Sequence, residues 1–458
     1  MNKPLVIGAS ALGAIAIFCI LFTGCKRGID TPFDTKYLTK FHELTTTNEI
    51  QDLQGANLAL YVDYSTCIAD GKHSPFYQNM VSPLTAATKE YWSIKGNEIS
   101  REDISQNGGV FGLLNNVQEV NYAALDNAIS QMAQREGESI LLTDGELFVQ
   151  TVTKDNPNNP YMHDAFKNWI MKGHDIHILA EPYVETYHGQ SFNKKRFYII
   201  FTDDRLQGNI YDRIVNTIDL SNFPNVDEYH LSGNYPWLVP TNGRSSQPNS
   251  TLAAEITPQG NYEIQDWPLD WKTIQTVIIS NAYDEAGNPL PMGEKIIGGL
   301  KVNRNAFGCY RIKDIDVKVY NINSEYNDIY NRLEAGEKVG PENSIFYEIP
   351  SFITFDRNEF NNHSNIDLYF DINNFAPDKG TDLNGKDFNF FKIVISVKEV
   401  ENILANNIDI FNFESIAHPG QTNVSISESL KQSVYDPDIV NMLNGKVLYT
   451  IYVKSGKY

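Results

Sequence analysis

The sequence predicts an α/β domain with a mostly parallel sheet flanked by helices, followed by a β-rich, sandwich-like region. Three observations carry that prediction. Over residues 55–219, short wholly apolar runs alternate with helical stretches, the pattern of strands covered on both faces by crossover helices. After Leu220 the helical period lapses, and Pro, Asn, Gly and Ser crowd together up to Gln259. Beyond Trp267, alternating runs are separated by turn signals such as Asn288-Pro289, Asn384-Gly385 and Asn444-Gly445. A chain of 458 residues is long enough for about two or three domains, each with its own core.

Residues 1–24 stand apart. Lys3 is the only charge before an apolar run from Pro4 to Gly24, which reads as a secretory signal. Its ending, Phe22-Thr23-Gly24-Cys25, resembles a bacterial lipobox, in which Cys25 is lipidated and becomes the new N-terminus. The departure is Phe22 three places before the cysteine, with Leu21 one place early. Lys26 and Arg27 oppose the orientation of an uncleaved anchor under the positive-inside rule. The folded chain is therefore expected in the cell envelope, held to a membrane by lipid, at the outer-membrane surface or its periplasmic face. The Asn- and Tyr-rich composition behind this motif resembles that of Bacteroidota lipoproteins.

Residues 25–54 are polar, Thr-rich and weakly periodic, and read as a tether. In the α/β span, 58–62, 91–94, 139–143, 175–180 and 197–201 read as strands. The intervening 76–89, 121–134, 163–171 and 206–218 read as helices, with Leu125, Ile129 and Met132 on one face. Residues 220–264 read as a linker or insertion. The remaining 265–458 carry strand-like runs at 276–279, 315–320, 366–372, 390–397 and 447–453, with a short helix near 427–431.

Composition narrows the partners. Fifty-seven acidic against 37 basic side chains give a formal charge of −20, with no long basic run. Neutralising phosphates needs clustered positive charge, so nucleic acid is excluded, as is polybasic docking on anionic lipid. Four cysteines do not make a disulfide scaffold. Cys19 leaves with the signal and Cys25 takes the lipid. Cys67 and Cys309 remain for either one disulfide or two buried thiols, the second being favoured by their distance in sequence.

Two strand ends carry polar residues that converge in such a fold. One is Leu58-Ala59-Leu60-Tyr61-Val62-Asp63-Tyr64-Ser65-Thr66-Cys67; the other is Ile140-Leu141-Leu142-Thr143-Asp144-Gly145-Glu146. Open α/β sheets bind ligands beyond the carboxyl ends of their strands, and both Asp63 and Asp144 fall at that edge. Carboxylates and hydroxyls from two strands make a hard oxygen site suited to Mg²⁺ or Ca²⁺. Gly145 lets the backbone turn away without covering the ion.

Asp63-Tyr64-Ser65 and Thr143-Asp144-Gly145 resemble the von Willebrand factor A family, in which one strand ends in Asp-x-Ser-x-Ser and a later one in Thr-Asp-Gly. The resemblance covers residues 55–219. It implies a Rossmann-like domain of that type, with Asp63, Ser65 and Asp144 holding a divalent ion whose coordination a ligand carboxylate completes. It also implies a binding or adhesion role toward a protein or glycan, without enzymatic turnover. Cys67 stands where the family has its second serine, and a soft thiol suits a hard cation poorly. The loop before residue 121 has no threonine; Glu119 or Asn121 would supply the replacement oxygen. The alternative is a metal-free domain of the same fold serving glycan or protein binding or assembly.

A third reading follows from Ile200-Phe201-Thr202-Asp203-Asp204, whose order resembles haloacid-dehalogenase-type phosphatases. Asp63 would be the nucleophile and Asp203 and Asp204 would hold Mg²⁺, but Ser65 stands where that chemistry needs an acid. Asp203-Asp204 is otherwise the acidic start of the next helix. His174 and His177 read as a turn entering a strand rather than a ligand pair. Trp237, Trp267 and Trp271 offer an aromatic platform or linker packing. Asp378, Asp382, Asn384 and Asp387 cluster without calcium-loop register.

Overall fold

The computed structural model describes residues 35–45, 57–65, 72–117, 122–147, 157–233, 239–240, 262–266, 274–281, 295–301, 304, 309–341, 345–351, 353–363, 365–370, 388–403 and 408–456. The first unit runs β1 (Leu58–Asp63), α2 (Pro75–Ala87), β2 (Thr88–Lys95), β3 (Glu98–Glu102), α3 (Gly109–Asn115), α4 (Leu125–Gln134), β4 (Ser139–Thr143), α5 (His163–Met171), β5 (Asp175–Tyr187), β6 (Gln190–Thr202), α6 (Ile210–Thr217) and β7 (Asp227–Ser232). It is preceded by α1 (Thr35–Thr45).

Its seven strands lie in the order β3-β2-β1-β4-β6-β5-β7. The core pairs β1–β2 and β1–β4 are parallel. Period-two alternation places Ala59, Tyr61, Leu141 and Ile199 on one face, against Ile129 and Met132 of α4 and Phe166 and Trp169 of α5. Leu60, Val62, Ile140, Leu142 and Ile200 face Phe76 and Met80 of α2, Leu113 of α3 and Ile214 of α6. All these residues are buried, so the sheet is helix-covered on both sides, as the apolar runs predict. Helix α2 starts where Ser74 accepts the Tyr77 amide at 3.0 Å and proline follows the cap.

The second half of this sheet departs from the expected parallel order. Strands β5 and β6 form one long antiparallel hairpin, paired from Tyr187–Gln190 to Asp175–Thr202. The two-residue turn His188-Gly189 has φ of 48° and 78°, the double left-handed geometry that matches strand twist. Strand β6 then inserts antiparallel between β4 and β5. The polar middle of the hairpin hid its continuity in the sequence. There, buried Arg196 pairs with Glu181 at 3.3 Å and lies over the Tyr77 and Tyr183 rings. Strand β7, in the expected linker, closes the sheet by pairing with β5, so the unit extends past residue 219.

The rest of the chain runs β8 (Val239–Pro240), β9 (Tyr262–Asp266), β10 (Ile274–Asn281), β11 (Lys295–Lys301), β12 (Tyr310–Asn321), α7 (Asn323–Glu334), β13 (Tyr347–Ile349), β14 (Ile353–Phe355), α8 (Arg357–His363), β15 (Asn365–Phe370) and β16 (Phe388–Asn402). It ends with β17 (Phe413–Glu414), β18 (Thr422–Asn423), α9 (Ser425–Val434), α10 (Pro437–Leu443) and β19 (Val447–Gly456). Six strands form a sheet in the order β13-β12-β16-β19-β10-β9, and four form another, β14-β15-β11-β8. The larger sheet is antiparallel except for β10–β19.

Among the described residues, this larger sheet is covered by helices on both faces. Phe390 and Tyr452 pack under Tyr326 and Ile329 of α7 and Leu38 and Phe41 of α1. The segment read as a tether therefore contains a helix whose Leu38, Phe41 and Leu44 share one buried stripe. On the other face, Ile393, Ile395 and Ile451 meet Ile426, Leu430 and Val434 of α9 and Ile439 and Leu443 of α10. Those two helices also pack against α5 of the first unit, so one apolar core runs through both units. Cys309 is a buried free thiol, pushed up to about 12 by burial; Cys67 lies outside the described residues. Among the described residues no helix is long and apolar enough to cross a membrane.

Candidate functional site

Parallel pairing of β1 with β4 brings Asp63 and the Thr143-Asp144-Gly145 turn together at the carboxyl edge of the sheet. Thr143 Oγ1 donates to Asp63 Oδ2 at 2.7 Å, and the Ser65 amide donates to Oδ1 at 2.8 Å. The Gly145 amide donates to Thr143 Oγ1 at 3.0 Å, and the Glu146 amide to Asp144 Oδ1 at 2.9 Å. Asp63 is buried; that burial first, and the neighbouring Asp144 charge second, push its carboxyl up to about 7. Two carboxylates sharing a dry site disfavour double ionisation unless a cation stands between them.

A cation of the chain itself stands at this edge, against Asp144 and Glu146. The Lys194 ammonium lies 2.9 Å from Asp144 Oδ2 and also bonds Glu146. Its side chain is 0 % exposed. Burial alone would lower its affinity for the proton, but Asp144 and Glu146 overcome that and raise it. The ammonium sits 4.6 Å above the Phe413 ring, so an aromatic face completes its surroundings. Lys194 thus occupies a carboxylate oxygen that the resemblance assigns to a divalent ion.

Glu146 also fastens the C-terminal region to this edge. It accepts the Ser415 hydroxyl, the Ile416 amide at 3.1 Å and the Ala417 amide at 3.0 Å. Burial pushes this carboxyl up, yet the Lys194 charge and these donors hold it below the usual range. Tyr161 and Ser425 donate to the Gly145 carbonyl at 3.1 and 3.4 Å. The Asn193 amide donates to Glu414 at 2.6 Å. The strand ends where a ligand would dock are therefore capped by β17 and the start of α9.

Gly145 makes that closure sterically possible. Its φ is 74°, and an added Cβ would stand 2.5 Å from Ile426 Cδ1 and 3.2 Å from the Phe197 ring. Gly145→Ala is expected to cost about 1–3 kcal/mol through left-handed strain and overpacking, read from urea unfolding. A loss below about 0.5 kcal/mol, the range of ordinary surface changes, would show that α9 does not rest on this turn.

Of the ligands assigned from sequence, Asp63, Ser65 and Asp144 converge, whereas Cys25, Cys67, Glu119 and Asn121 lie outside the described residues. So do Trp237, Trp267 and Trp271 and the Asp378–Asp387 cluster. The phosphatase order does not assemble. Because β6 is antiparallel, Thr202 falls beyond the Ser139–Phe201 pair at the amino end of β4, so Asp203 and Asp204 lie at the edge opposite Asp63. Nor do those two residues begin a helix, since α6 starts at Ile210; Asp203 pairs with Arg205 and His174 instead.

No family model, curated protein or solved structure matches the chain. Its function is therefore argued from its own residues. The one that sequence reasoning missed is Lys194. Its only signal was Asn193-Lys194-Lys195-Arg196, a basic run at a strand start that reads as solvated until the hairpin is known.

Proposed function

We propose that this chain is a lipid-anchored, envelope-side binding and assembly protein built on a von Willebrand A-like domain that works without a metal at its strand-end site. The N-terminal motif ending in Cys25 supports the anchor, and the Asp63-Tyr64-Ser65 and Thr143-Asp144-Gly145 strand ends support the domain type. The observation that carries the metal-free reading is the buried Lys194 ammonium on Asp144 and Glu146. It supplies the positive charge that Mg²⁺ or Ca²⁺ would supply in an adhesion site. Glu146 meanwhile holds residues 415–417 at the edge where an external carboxylate would bind. The domain carries its own C-terminal region as a resident occupant, and a protein or glycan partner would meet the joined surface.

Metal-dependent adhesion is the competing reading, favoured by the adjacency of Asp63 and Asp144. It requires a cation to displace Lys194. The test is the thermal stability of the full chain with and without added Mg²⁺ or Ca²⁺. No change is expected for wild type. A site filled at about 100 times its Kd would add about 2.7 kcal/mol, which is readily seen. A rise that Asp144→Asn abolishes would overturn the metal-free reading and restore the adhesion site.

A further inference from the structure

The opposite edge of the first sheet carries a second polar cluster. His177 on β5 and His230 on β7 are direct cross-strand partners. Their rings stack face to face, 4.2 Å apart with an interplanar angle of 5°. Tyr211 of α6 covers the far side of His177 at 3.5 Å and 7°. His177 Nε2 lies 2.9 Å from Asp204 Oδ1, in the turn after β6. His230 Nε2 stands between two carboxylates, 3.0 Å from Asp175 Oδ1 and 3.3 Å from Asp204 Oδ2. Asp175 is itself fixed, because its Oδ2 accepts the Asp204 amide at 2.9 Å.

The groups that face this stack are acidic. β5 presents Asp175, the turn presents Asp204, α6 presents Asp212, and β7 presents Glu228, which accepts the Tyr211 hydroxyl. Arg205, in the same turn, is committed to Asp203, which His174 also meets. The two imidazoles are not equivalent sites for a proton. His177 Nδ1 is buried without a hydrogen-bond partner among the described residues, so an N–H there would stand unsatisfied. The His177 side chain is 4 % exposed, whereas that of His230 is 29 % exposed and open to exchange with water. Two imidazolium rings stacked at 4.2 Å would also repel each other. The stack therefore holds its positive charge on His230. Burial alone would weaken that proton's hold, but the Asp175 hydrogen bond and the Asp175, Asp204 and Glu228 charges overcome it. Burial likewise pushes the Asp175 carboxyl up, yet His230 holds it below the usual range.

We propose that His230 is a pH-operated latch on β7: its imidazolium clamps this edge strand to Asp175 of β5 and to Asp204, and loss of the proton loosens it. β7 has a sheet neighbour on one side only, so its hold rests on β5 and on what its side chains reach. Its ends have fastenings of their own, since Lys195 pairs with Asp227 and Lys446 donates to the Gly233 carbonyl at 2.7 Å. Neither involves the imidazole, so the latch acts on the middle of the strand. A histidine whose proton is held more tightly in the folded state stabilises fully below its unfolded value of about 6.5. That contribution is lost as pH rises through the folded value. β7 is therefore tight in mild acid and looser in mild alkali, where Asp175 and Asp204 face an uncharged ring.

The test is histidine-selective NMR of the detergent-solubilised full chain from about pH 5 to about pH 9, bracketing the ordinary histidine range. Hydrogen exchange of the β7 amides is read at the same pH values. His230 is expected to titrate above about 6.5, the value of an unfolded histidine. Protection of β7, corrected for the intrinsic pH dependence of exchange, should fall about tenfold as His230 loses its proton, the worth of charge in such a hydrogen bond. His230→Gln should abolish that fall and leave the behaviour of β1 and β4 as in wild type. Asp204→Asn, which keeps the imidazole, should lower the His230 midpoint and the pH of the β7 fall together. Neither readout involves Asp144 or Lys194, so the outcome is separate from that of the metal-free reading above. A His230 midpoint at or below about 6.5, β7 protection that is flat with pH, or a fall that persists in His230→Gln would each overturn the latch.

Discussion

Lys194→Met is expected to lower the unfolding free energy by about 3–5 kcal/mol, the range for breaking a buried ion pair by removing one partner. Methionine fills much of the same volume, so the loss isolates charge. Asp144 and Glu146 would keep their carboxylates in a dry site, and Asp144 would lose its 2.9 Å partner. The amides of Ile416 and Ala417 would still hold Glu146, so the C-terminal region should stay docked. Urea unfolding of wild type, Lys194→Met and the triple change with Asp144→Asn and Glu146→Gln checks this. The triple change should recover part of the loss, because neutral amides do not need the ammonium. A loss under about 1 kcal/mol, the value of an exposed pair, would mean that Lys194 does not neutralise this edge.

Asp63→Asn should stabilise the protein progressively, relative to wild type, as pH rises from about 4 to about 7. The carboxyl ionises near 3.8 when unfolded but near 7 when folded, because burial and the Asp144 charge disfavour its anion. Below the lower value both states are protonated and Asp63 brings no penalty. Between the two values only the unfolded chain gives up the proton readily, so wild-type stability falls with rising pH. Above the upper value the penalty is constant, on the order of 4 kcal/mol. Asp175, Asp203 and Glu146, all held low, act in the opposite sense and lose stability as pH falls. Subtracting the variant's curve from the wild type's isolates Asp63. Chemical unfolding at pH 4.5, 6 and 8 provides the measurement. A difference that is flat across that range would show Asp63 ionised throughout, as a divalent ion beside it would make it.

The strand-end motif was legible because it is local. Asp63 and Thr143 each end a strand whose residues are all buried, and the apolar runs at 58–62 and 140–142 announce themselves. The helices α4 and α5 were legible for the same reason, through Leu125, Ile129 and Met132 and through the run at 163–171. The β5–β6 hairpin was not, because its middle holds Glu181, Glu185, Lys194 and Arg196, charged residues that read as exposed. They are buried because they neutralise one another across the sheet and against Asp144 and Glu146. Helix α1 was hidden by its threonines, since Leu38, Phe41 and Leu44 form a stripe too short to rise above a polar segment.

What the amino-acid order determined by itself is β1, β2 and β4, the apolar ends of β5 and β6, the helices α2, α4, α5 and α6, and the arrival of Asp63 and Asp144 at one edge. Each depends on periodicity and turn chemistry within a few residues. The tertiary structure alone decided what that edge can do. Whether a carboxylate pair takes up an ion from solution depends on which charge comes nearest. Here it is Lys194, about fifty residues from Asp144 in sequence, brought 2.9 Å from its oxygen by a hairpin whose register no local signal reveals. Likewise, His177 and His230 lie on separate strands, and only the β5–β7 pairing sets their nitrogens around Asp204.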